Sequence, residues 1–287
     1  MNMLKRLIIA LCAVAALAAC EVIPEGERYE PVVVGETRRV VLLEEFTGVR
    51  CTNCPKAAQV AHSLLSQYPD NLVVVGMHGT NTTTFGNPFE GEQDFRIAET
   101  AEYFEAFGGT PTQGYPCGMV NRAVSDNAID EGGILLNYDV WATEVVRALT
   151  VPPVADITME LTSDEAQDDS VVTVAVSVEA LEAVSHPVSL VVELVEDNIV
   201  GTQIDGGVEN HEYVHNHVLR TVVNGTWGES FTMPAVGEIS SPKVFEITVR
   251  KPWVKENCSV VAYLYNSETR GDVMQAAILP LGEGTAH

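Results

Sequence analysis

The chain has 287 residues, with 16 basic and 40 acidic side chains and a formal charge of −24. That balance argues against nucleic-acid binding, which needs basic patches. The length fits about two domains, and a hydrophobic content of 46% fits an ordinary globular body.

Lys5 and Arg6 precede an apolar run, Leu7 to Ala19, that is too short to span a bilayer at ~20 residues. Residues 1–19 read as a signal peptide. Leu17-Ala18-Ala19-Cys20 matches the bacterial lipobox, so Cys20 is expected to be the lipidated first residue of the mature protein. Lipid, and no transmembrane helix, would then hold the protein on its membrane. Residues 20–36 are polar, contain Pro24, Gly26 and Pro31, and read as the anchor and its tether.

Val40 to Leu43 is a continuous apolar run and predicts a strand buried on both faces, broken by Thr47 and Gly48. Behind Pro55, the residues Ala57, Val60, Ala61, Leu64, Leu65 and Tyr68 fall on one face of a helix. Asn71 to His78 predicts a second strand. Asp94 to Phe107 predicts a helix stopped by Gly108-Gly109. Gly118 to Ala123 reads as a strand, and Tyr138, Trp141, Val145 and Leu149 mark a last helix. This order predicts an α/β layer domain over 37–150. After Pro152-Pro153 the helical period vanishes. Short alternating runs at 154–162, 170–181, 187–196, 214–223, 243–250, 258–266 and 273–279 predict an all-β sandwich of Ig-like type over 151–287.

Cys51-Thr52-Asn53-Cys54 lies between the first strand and the first helix. Unpaired N–H groups and the helix dipole at that junction favour a thiolate at Cys51, and Arg50 brings a cation next to it in sequence. A structural clip is the second reading, although so short a loop gives only ~2 kcal/mol in the chain-entropy account. A zinc site is the third. It would need four ligands, and only Cys117, His62 and His78 stand as distant candidates beside the pair. No metal and no cofactor are expected. Cys117 and Cys258 read as buried strand residues, with a role for Cys117 as a further thiol left open. His211, His215 and His217 form a cluster with Glu209 and Glu212. His215 and His217 are expected on one strand face, where a metal-binding pair and a polar turn are both readings.

Cys51-Thr52-Asn53-Cys54-Pro55-Lys56, Glu45 six residues before Cys51, and Tyr115-Pro116 before an apolar strand together resemble thioredoxin. The resemblance implies a thioredoxin-like domain in which the helix around 94–107 is an insertion. It implies Cys51 as attacking thiolate, Cys54 as resolving thiol, Glu45 as proton shuttle and Pro116 in a cis-proline loop facing the dithiol. Arg50 replaces the usual Trp. The mature chain also resembles the outer-membrane-protein-28-related lipoprotein family of Bacteroidetes. The matching segments are Glu44-Glu45-Phe46-Thr47-Gly48 through Cys54-Pro55, Tyr115-Pro116 through Arg122, and His215-Asn216-His217-Val218-Leu219-Arg220. That resemblance implies a β-rich C-terminal domain and an outer-membrane address. Two function classes follow. One is a lipid-anchored thiol–disulfide oxidoreductase acting on protein thiols or disulfides. The other is a surface binding or assembly lipoprotein with an unknown partner and a structural or vestigial disulfide.

Overall fold

A computed structural model of the chain describes residues 38–79, 84–110, 114–162 and 170–282. The expected signal peptide, Cys20 and the expected tether lie outside these residues, as does the acidic stretch 164–169. Three helices and thirteen strands are named here: β1 (Val41–Thr47), α1 (Cys54–Gln67), β2 (Leu72–His78), α2 (Ala98–Ala106), β3 (Cys117–Val120), α3 (Trp141–Leu149), β4 (Ala155–Thr162), β5 (Val171–Ala180), β6 (Val188–Glu196), β7 (Ile199–Asp205), β8 (Val208–His215), β9 (Val218–Val222), β10 (Glu229–Phe231), β11 (Lys243–Thr248), β12 (Cys258–Asn266) and β13 (Val273–Pro280). The protein is a mixed α/β molecule in which sheet dominates.

The main sheet has the order β13-β12-β6-β9-β2-β1-β3, with β10 added on β6. β1 and β2 run parallel, in register from Val41↔Leu72 to Thr47↔His78. β1 also pairs antiparallel with β3, so Glu45 faces Gly76 on one side and Gly118 on the other. β2 meets β9 through a single parallel pair, Gly76↔Val218. Strands from both sides of Pro152-Pro153 therefore share one sheet.

A second sheet, β11-β5-β4, packs on part of the first. Its inward residues Val174, Val176 and Val178 join Leu190, Val192, Leu194, Val260 and Leu264 in one core. The opposite face of β6 and β12, with Val191, Val195, Val261 and Tyr263, joins Leu42, Phe46, Tyr103 and Phe104 in another core. This explains two patterns in the sequence. β6 is buried at every position and reads as a continuous run, because both of its faces are covered. β5 alternates half-buried and buried, because one of its faces meets solvent.

Three expected elements differ at their edges. The strand expected at 118–123 stops at Val120, because Asn121 (φ 52°) and Arg122 (φ 50°) turn into the left-handed region. The helix expected from Asp94 starts at Ala98, because the Asp94 carboxylate accepts the Arg96 N–H at 3.0 Å and forms a local turn instead. The strand expected at 214–223 is two strands, parted at Asn216-His217, where His217 has φ 57°.

Candidate functional site

β1 delivers the chain to the dithiol through Gly48. A Cβ at Gly48 would lie 2.5 Å from the Phe85 carbonyl oxygen, so only glycine lets that backbone approach. The Arg50 N–H donates to the same carbonyl at 2.8 Å. α1 then begins at Cys54, with Asn53 as N-cap and proline in the first turn. Cys51 and Cys54 form a disulfide with Cα atoms 5.4 Å apart. Thr52 and Asn53 are exposed, but each cysteine is only 2% exposed. Cys51, Cys54, Phe46, Tyr115 and Cys117 belong to one apolar core, and the buried Pro116 follows Tyr115 through a cis bond. The four residues carried over from the thioredoxin resemblance, Cys51, Cys54, Glu45 and Pro116, thus lie on the β1–α1 junction and the entry to β3. Cys117 and Cys258 are free and buried, and burial pushes both thiols up to about 12.

The Arg50 side chain is engaged by the loop at 87–89. Its guanidinium donates to the carbonyls of Asn87 and Pro88, at 2.9 and 3.0 Å, and stacks 4.0 Å over Phe89. Three partners on one loop hold its charge there.

A hairpin that the sequence pattern did not announce is bonded to the backbone at 48–51. β7 and β8 form a separate two-stranded ribbon. The buried Gln203 donates its side-chain amide to the carbonyls of Gly48, at 3.2 Å, and Cys51, at 3.0 Å. The Ile204 N–H donates to Val49 at 2.8 Å. At the residue before Gln203, the Glu92 carboxylate accepts both the N–H and the hydroxyl of Thr202.

Glu45 lies on β1 behind this junction, 4% exposed, and its Oε1 has no hydrogen-bond partner among the described residues. Burial pushes its carboxyl up to about 8, so it carries a proton at neutral pH. It sits at the floor of a cleft of about 270 Å³ between α1 and the hairpin, with Pro55 and His62 on one wall and Tyr213 and Asp205 on the other.

The adjacent Glu44 faces the other way. Arg122 clasps it with two hydrogen bonds, 2.7 Å from Nε and 2.5 Å from Nη2, and neither side chain is exposed. Arg122 also donates to the Tyr263 hydroxyl at 2.7 Å, and that hydroxyl donates to Glu193 at 3.1 Å. The guanidinium lies 4.7 Å from the Tyr103 ring and 5.0 Å from the Tyr263 ring. This network joins β1, β6, β12 and α2.

The histidines separate. His215 is buried at the end of β8, its ring 5.7 Å from that of His78 and 5.0 Å from that of Phe95. Burial lowers His215 to about 4 and pulls His78 well below its usual value. His217 instead lies 3.0 Å from Asp197, and His211 lies 3.0 Å from the Thr202 hydroxyl. His215 and His217 do not share a strand face, because β8 ends between them. Among the described residues no three His, Cys, Asp or Glu side chains converge as a metal site would require.

The sequence model of the family described as outer membrane protein Omp28 matches residues 102–280. No curated protein matches the chain. Among solved structures, HBP35 of Porphyromonas gingivalis is similar with a TM-score of 0.65 and 18% identity, over 88% of this chain and 79% of that one. A structural-genomics protein of Agrobacterium tumefaciens is similar with a TM-score of 0.53 and 16% identity, over 86% of this chain and 97% of that one. At such identities these likenesses bear on fold alone. No helix among the described residues is long and apolar enough to cross a membrane.

Proposed function

This chain belongs to the outer membrane protein Omp28 family, and from that premise we propose that it is a lipid-anchored thiol–disulfide oxidoreductase of the outer membrane. The observation that carries the reading is the Cys51–Cys54 disulfide at a strand-to-helix junction, with the buried acid Glu45 on the preceding strand, its Oε1 without a partner among the described residues. In this reading residues 37–150 are a thioredoxin-like domain with α2 as its insertion, and 151–287 are an Ig-like β-sandwich sharing its sheet. The parallel β1–α1–β2 unit, the antiparallel β3 after Pro116 and the α3 that follows support the first assignment. The face-to-face packing of β11-β5-β4 on β6 and β12 supports the second.

The chemistry balances as follows. In the reduced protein the Cys51 thiolate attacks a partner disulfide, forms a mixed disulfide and expels one partner thiolate. Cys54 loses its proton to the Glu45 carboxylate, attacks the Cys51 sulfur and expels the second partner thiolate. Two electrons pass from the dithiol to the partner. Reversal returns them, with the neutral Glu45 protonating the departing Cys54. Pro116 lines the approach to the disulfide. Cys20, in the lipobox, carries the anchor.

Trapping tests the reaction. A Cys54→Ser protein should accumulate a mixed disulfide with envelope proteins, and Cys51→Ser should accumulate none. Equal absence of adducts in both would contradict the reading. The anchor is tested by fractionation: Cys20→Ala should leave the membrane pellet, and full retention would contradict lipidation.

One observation favours a second reading. Both cysteines are 2% exposed and Gln203 ties down the Cys51 carbonyl, as suits a structural disulfide in a surface binding lipoprotein. In that case neither variant traps a partner, and the β-sandwich carries recognition.

A further inference from the structure

In the oxidoreductase reading Glu45 must give up and regain a proton, yet it lies behind a disulfide that is itself buried. The cleft between α1 and the β7–β8 hairpin offers the other way out. Its floor is Glu45, whose Oε1 is buried and without a partner among the described residues. Its outer wall carries Tyr213 and, beyond it, the exposed Asp205 at the end of β7. Tyr213 is half-buried and shares the inward face of β8 with His215, the rings lying 4.8 Å apart. Val214 between them is exposed and also lines the cleft.

We infer that protons reach and leave Glu45 through this cleft, and that the Tyr213 hydroxyl, which lines the same cleft as Glu45 and Asp205, is the positioning residue that couples the buried carboxyl to solvent. The inference rests on the oxidoreductase reading for its purpose, but on the cleft for its geometry.

Three features support the coupling. Tyr213 is pushed up to about 12, first by burial and then by the negative charges of Glu45 and Asp205, so its hydroxyl stays protonated and can donate to the carboxylate. Gly76 removes side-chain bulk beside Glu45, and its N–H donates to His217 at 2.7 Å, which fixes the loop that closes the cleft. The other groups facing the cleft are Lys56 and His62 from α1 and His217 from the β8–β9 turn. From β3, Cys117 lies within electrostatic reach of Glu45. The step moves one proton: Glu45–COOH to carboxylate, with the proton passed to water in the cleft, after which the carboxylate accepts the Cys54 thiol proton.

The test is Tyr213→Phe, which keeps the ring and removes the hydroxyl, in full-length protein whose melting temperature matches wild type. Carbon NMR of the Glu45 carboxyl in the oxidised protein should show its midpoint rising by about one unit, because the ionised carboxylate can no longer recruit the Tyr213 hydroxyl that the neutral acid leaves unbound. Oxidation of the reduced variant by hydroxyethyl disulfide should then slow about tenfold at pH 7, in proportion to the lost carboxylate. The difference should close near pH 9, and added imidazole buffer should restore part of the rate at pH 7. An unchanged Glu45 titration would overturn the inference, as would a slowing that persists at pH 9 without buffer rescue. If wild type fails to react with the disulfide at any pH, the oxidoreductase reading fails, while the NMR titration still decides whether Tyr213 couples to Glu45.

Discussion

Glu44 and Glu45 are neighbours on β1, and their side chains lie on opposite faces of the same sheet. Glu44 meets Arg122, which in turn reaches Tyr263, so its charge is balanced by an ion pair in a sealed aromatic setting. Glu45 meets a cleft, has an oxygen without a protein partner among the described residues, and keeps its proton to about pH 8. A buried acid with a fixed cation is part of the frame. A buried acid without one is a group whose proton can be used. Burial is equal on the two faces, so the partner decides.

The largest expected effect lies on the paired face. Arg122→Ala leaves Glu44 buried and uncompensated and empties a site among four aromatic rings. It should cost about 3–5 kcal/mol, read as a lower denaturation midpoint. An effect below 1 kcal/mol would show that the network is not holding β1, β6 and β12 together.

Glu45→Gln should act in the opposite sense and with pH. The folded carboxyl binds its proton more tightly than the unfolded one, so wild type loses stability as pH rises from the unfolded value near 4.5 to the folded value near 8. At about 1.4 kcal/mol per pK unit, the variant should gain up to about 4 kcal/mol over wild type by pH 8, and nothing below pH 4. A pH-independent difference would remove Glu45 as the titrating group.

The histidine pair titrates with the reverse sign. His215 and His78 are held neutral below their unfolded value, so their contribution is present above about pH 6.5 and is lost as pH falls toward 4. His215→Phe should flatten that acid limb by at most about 3 kcal/mol. An acid limb as steep as in wild type would contradict the assignment.

The smallest effect concerns the hairpin. Gln203→Ala removes the amide from the carbonyls of Gly48, Cys51 and Ile204 and should cost about 1–2 kcal/mol. The same variant should speed reduction of the disulfide by dithiothreitol, because the hairpin loses its bond to the Cys51 carbonyl. Unchanged reduction kinetics would show that the hairpin does not control access.

The β1–α1–β2 unit was legible in the sequence because its signals are local: Val40 to Leu43, the face from Ala57 to Leu65, and Pro55 at the helix start. Cys51, Cys54 and Glu45 could be placed for the same reason. The hairpin was missed because β8 is exposed at most positions, so Glu209 to Glu212 show no apolar alternation. The Glu44–Arg122 pair spans 78 positions, and nothing local marks it. Arg50 was read from its place in the chain, whereas its direction is set by Phe89 and by carbonyls almost forty residues away. The β2–β9 junction rests on one residue pair, too little to leave a pattern.

The reduction potential of Cys51–Cys54, measured by equilibration with a dithiothreitol redox buffer, tests the central claim most directly. The account predicts a value in the roughly −180 to −270 mV range of dithiol enzymes. A value below about −300 mV would contradict it and mark the bond as structural.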